Sequence, residues 1–138
     1  MTTPALTCIE VRMARPTLVV AETEPLAALS TRKLVLETAK FNVLTAHSTA
    51  EALEILHISA DLASGGIIAA DLKGAESLVS EIKQLRPEMP LIYVSPHSTL
   101  IEGADYAVAT HDPEGLVKLC RRLFGDPRSM ETDQRNGG

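Results

Sequence analysis

The run Gly65-Gly66-Ile67-Ile68-Ala69-Ala70-Asp71-Leu72 decides the fold. It is an unbroken apolar stretch that opens on a glycine pair and carries a carboxylate near its end. A segment this short, apolar on both faces, reads as the central strand of a parallel sheet covered by helices on both sides. In such sheets ligands bind outside the carboxyl ends of the strands, so Asp71 is expected at the functional edge. A strand-ending Asp can equally do no more than cap the turn that follows.

Working outward, Pro16 introduces Thr17-Leu18-Val19-Val20-Ala21, a short buried strand that ends in Glu22-Thr23-Glu24-Pro25. The spacing of Ala28, Val35, Leu36 and Ala39 predicts a helix over about 26–40, although Arg32 falls in the middle of that apolar arc. Phe41-Asn42-Val43-Leu44-Thr45-Ala46 is a second strand. Ser48-Thr49-Ala50-Glu51 has capping-box spacing and opens a helix through Ala52, Leu53, Ile55 and Leu56. After Asp71 come a very short link and a helix over about 75–86, with Leu78, Val79, Ile82 and Leu85 as its apolar stripe and Pro87 as its stop.

Pro90-Leu91-Ile92-Tyr93-Val94-Ser95 and Tyr106-Ala107-Val108-Ala109 are the last two strands. The ten or so residues between them are tight for a parallel crossover, which normally needs a dozen or more. Only a turn or two of helix near 100–104 fits. Asp112-Pro113-Glu114 then starts a final helix with Asp as N-cap, whose core residues are Leu116, Val117, Leu119, Cys120 and Leu123. Strand and helix alternate five times. The expected fold is therefore α/β, a doubly wound five-stranded parallel sheet with a shortened fourth helix. Residues 1–15 are expected to be a flexible arm, 16–125 the folded domain and 126–138 a disordered tail.

Composition narrows the function. A 138-residue chain is one domain with room for a core. A net charge of -5 disfavours a nucleic-acid module, which would normally show a basic face. No apolar run approaches the roughly 18–20 residues of a membrane span, and no leader peptide is visible. Cys8 and Cys120 are isolated, without metal-ligand spacing, so a reducing, cytoplasmic setting is expected.

Residues 17–124 resemble the receiver domain of two-component response regulators, a flavodoxin-like fold. The likeness rests on Thr17 through Pro25, on Phe41 through Leu53, on Gly103-Ala104-Asp105-Tyr106 and on Asp112-Pro113-Glu114, taken in order and spacing. The resemblance implies that Asp71 is the phosphoacceptor, that Ser95 is the switch hydroxyl and that Tyr106 is the switch aromatic. It also implies Mg²⁺ held by Glu22 and Asp71, and a histidine kinase, phosphotransfer protein or other signalling protein as partner. Such a domain is a phosphorelay signalling module, not an enzyme.

The sequence departs from that pattern at several points. The family's lysine after the fifth strand falls on Ala109, so a cation that would face the phosphoryl group is absent. Of the paired acids after the first strand only Glu22 is in place, with Glu24 nearby. The loop after Asp71 is short and lacks the usual Met-Pro and Asp-Gly elements. These departures favour a pseudo-receiver acting through protein contacts over a receiver phosphorylated on Asp71. With no effector segment after residue 124, output by association is expected, and the thinly covered edge at 106–109 could join two copies. A third reading places a metal site at the rim, from His97 and His111 with Glu22 and Asp71.

Overall fold

The structure, a computed structural model, describes residues 15–23, 30–59 and 61–128. Its strands are β1 (Thr17–Ala21), β2 (Asn42–Ala46), β3 (Ala63–Ala69), β4 (Leu91–Ser95) and β5 (Tyr106–Ala109). The helices among the described residues are α1 (Thr31–Thr38), α2 (Thr49–Ile58), α3 (Ala75–Leu85) and α4 (Pro113–Phe124). All strand pairs are parallel, in the order β2-β1-β3-β4-β5. The run that includes Gly66, Ile67 and Ile68 is thus the central strand, and every carboxyl end lies on one edge.

Alternation along the strands splits the core into two layers. Val19, Ala21, Ile68, Leu91 and Tyr93 pack with Ala52, Leu56, Leu78, Val79 and Ile82 of α2 and α3. Leu18, Val20, Ile67, Ile92 and Val94 pack on the opposite face with Leu36, Leu116, Leu119 and Cys120 of α1 and α4. Both layers are needed because β1, β3 and β4 have almost no polar face. This is the doubly wound arrangement that the alternating pattern predicts.

The helix starts follow their caps. Ser48 Oγ accepts from Glu51 N at 3.1 Å, and Asp112 Oδ1 accepts from Gly115 N at 3.0 Å with Pro113 opening the helix. One boundary and one burial differ from expectation. Ser30, in an extended conformation, caps α1 by accepting from Lys33 N, so that helix begins at Thr31. Leu26 and Ala28, expected within it, lie outside the described residues, as do most of the expected N-terminal arm and C-terminal tail. Leu85, expected on the apolar stripe of α3, is the last residue of that helix and is 47% exposed.

The connection from β4 to β5 has no helical remnant but two isolated turns, Ser98 N donating to Ser95 O and Ala104 N to Ile101 O, each at 3.2 Å. Ile101 and Ala104 pack into the α2–α3 layer themselves. Gly103 (φ +92) lies so close to α3 that a Cβ there would meet Val79 Cγ1 at 3.2 Å. Asp105 fastens the loop: its Oδ2 accepts from Leu91 N at 2.8 Å and from Lys83 Nζ at 2.6 Å.

Candidate functional site

A parallel sheet gathers its strand ends, and here that rim carries Glu22 after β1, Asp71 after β3, Ser95 at the end of β4 and Ala109 at the end of β5. Asp71 stands in the turn two residues past β3 and is exposed. Buried Leu72 anchors that turn, its N–H donating to Ala69 O, and Gly74 (φ +80) leads straight into α3. Thr23 Oγ1 donates to Asp71 O at 2.9 Å, which ties the turn to the end of β1.

Ser95 is buried and its Oγ accepts from Thr99 N at 3.2 Å. It stands opposite Ala109 in the β4–β5 register, so the residue expected from the resemblance at the lysine position pairs with Ser95 and has only a methyl group to offer. Tyr106, by contrast, opens β5 and pairs with Ile92, about 10 Å along the strand from Ala109 at the usual rise per residue. It is half-buried against the α1–α4 layer.

Glu22 was singled out from the sequence as a metal ligand, but its burial and its partners were not foreseen. It is 3% exposed, and both of its oxygens are taken. Ser30 Oγ donates to Oε1, and Arg32 Nη1 donates to Oε2 at 2.5 Å. The same Ser30 hydroxyl caps α1, so the start of that helix is bolted to the end of β1. His47 Nδ1 lies 3.1 Å from Glu22 O, which brings the imidazole to the rim. Arg32 was visible in the sequence as a charge on an apolar arc; its target was not. A carboxylate this buried needs a counter-charge, and removing the guanidinium alone would cost about 3–5 kcal/mol.

As folded, Glu22 and Asp71 do not fit a divalent cation. Mg²⁺ takes oxygen ligands in near-octahedral geometry, and the Glu22 oxygens already accept from a hydroxyl and a guanidinium. The proposed metal rim is corrected as well. His97 and His111 are exposed on separate loops, and no group of three or more His, Cys, Asp or Glu able to hold a metal occurs among the described residues. A surface hollow of about 720 Å³ lies at the other end of the sheet, against Thr17, Phe41, Asn42 and Leu62. No helix among the described residues is long and apolar enough to cross a membrane.

No protein-family model matches the sequence, and a search of curated proteins finds no match. Solved structures do match. A response regulator receiver domain protein from Clostridium thermocellum superposes with a TM-score of 0.70 at 22% identity, over 83% of this chain and 98% of its own. A CheY-like receiver domain protein from Methanospirillum hungatei JF-1 gives 0.66 at 19%, over 91% and 100%. A response regulator from Chloroflexus aurantiacus J-10-fl gives 0.68 at 23%, over 80% and 98%. The chain has the receiver fold. Within that fold, Asp71 lies two residues past the end of β3 and Ser95 ends β4, both on the rim, whereas Glu22 is engaged by Arg32 and Ser30.

Proposed function

We propose that this receiver-fold chain is a signalling module of the two-component phosphorelay type that works through protein–protein contacts, as a pseudo-receiver and not as an enzyme. Its partner would be a histidine kinase, a phosphotransfer protein or another signalling protein. One observation carries the reading: among the described residues the rim keeps Asp71, but Glu22 is bound to Arg32 and Ser30, and β5 ends in Ala109 in place of a lysine. Phosphoryl transfer to a carboxylate depends on cations that neutralise charge on the transferring oxygens. Here Ala109 supplies none, and Glu22 is bound to Arg32 and Ser30. Ser95 already accepts a backbone N–H, although its own proton is available.

The runner-up, phosphorylation of Asp71, draws support from the exposure of that residue at the strand end. Incubation with Mg²⁺ and a small phosphodonor such as phosphoramidate separates the two. The expected mass spectrum shows no phosphoryl adduct, and fluoroberyllate leaves the amides near Ser95 unshifted. A stoichiometric adduct on Asp71 overturns the pseudo-receiver reading.

A further inference from the structure

We infer that Arg32 is the resident cation of the rim: its guanidinium stands in for a divalent metal and keeps Mg²⁺ out. The inference rests on reading this edge as a receiver's rim. Three observations carry it. The Glu22 carboxylate is buried, so it requires a positive partner close by, and Arg32 Nη1 lies 2.5 Å from Oε2. The remaining oxygen is satisfied by Ser30, the residue that caps the helix bearing Arg32, so cation and cap arrive on one element. Arg32 also accepts a penalty to be there, since its buried Nε has no acceptor among the described residues. A surface arginine would turn that N–H to water.

The consequence is chemical. A metal at the rim would have to displace a fixed, always-protonated guanidinium from the oxygen it needs. Unlike bound Mg²⁺, this cation cannot dissociate, so the β1–α1 corner is held in one arrangement at every metal concentration. Removing Arg32 should therefore open the rim to a metal, because the buried Glu22 carboxylate would lose its counter-charge on the edge that also carries Asp71.

The test uses Mg²⁺ and, as a paramagnetic probe, Mn²⁺ on the full chain. In the wild type, Mn²⁺ is expected to leave the amides of Glu22, Thr23 and Asp71 unbroadened, and millimolar Mg²⁺ to leave the melting temperature unchanged. Arg32→Gln and Arg32→Met are expected to show local broadening and a rise of several degrees with Mg²⁺. Adding Glu22→Gln to either should abolish that response. Broadening of the wild-type rim overturns the inference and requires no variant to fold. Folded Arg32 variants that remain blind to metal overturn it too. Metal-free phosphorylation of wild-type Asp71 would instead sink the contact-only function and leave this inference standing.

Discussion

Gly65 shows how one residue can be fixed from the far end of the chain. A Cβ on it would overlap the ring of Phe124, the last residue of α4. Gly65→Ala should lower stability by about 1–3 kcal/mol through overpacking, and Phe124→Leu in the same chain should recover part of the loss in urea unfolding. The glycine pair was expected to open a strand and instead lies inside β3, which begins at Ala63; its reason was not legible, because 59 positions separate the two residues in sequence (124 less 65). Arg32 teaches the same lesson. A lone charge on an apolar arc is an anomaly of periodicity; only the fold brings Glu22 to it.

At the scale of elements, the loop between β4 and β5 does the work of a missing helix. Its anchor is Asp105, whose backbone N–H donates to Leu91 O at 2.9 Å while its carboxylate accepts from Leu91 N. The residue thereby extends the β4–β5 ladder by one pair. Asp105→Ala should cost about 1–3 kcal/mol because it strips the acceptor from a buried strand-end N–H. Lys83→Met should cost less, since its ion pair with Asp105 is partly exposed and such pairs contribute about 0–1 kcal/mol. Chemical denaturation of the two variants checks the ranking; equal losses would show that the ion pair, not the ladder, holds the loop. The caps at Ser48 and Asp112 were readable from sequence because a cap is a local device, satisfied within three residues.

For the whole molecule, burial sets the alkaline limit of stability. The α1–α4 layer encloses Cys120 and pushes its thiol up to about 12, and burial, aided by Glu76, also raises Tyr93 in the other layer. The folded Cys120 value exceeds that of an unfolded cysteine, about 8.5. The stability this group contributes is therefore complete below that pH and is lost as pH rises toward the folded value. Wild type and Cys120→Ala should differ by a constant amount up to about pH 8 and then converge through pH 9–11 in melting experiments. A gap that stays constant across that range would show that the thiol is not sequestered.

What the sequence determined by itself was the order of elements, the two-layer core and the position of Asp71 at a strand end. Those properties follow from short-range periodicity and from caps, turns and proline stops that act within a few residues. Tertiary structure alone decided the chemistry of the rim: that Glu22 faces Arg32 and Ser30, that His47 leans on the β1 end, and that a loop replaces a helix against α3. Those contacts join segments whose meeting depends on sheet register, and register is a property of the whole packed core.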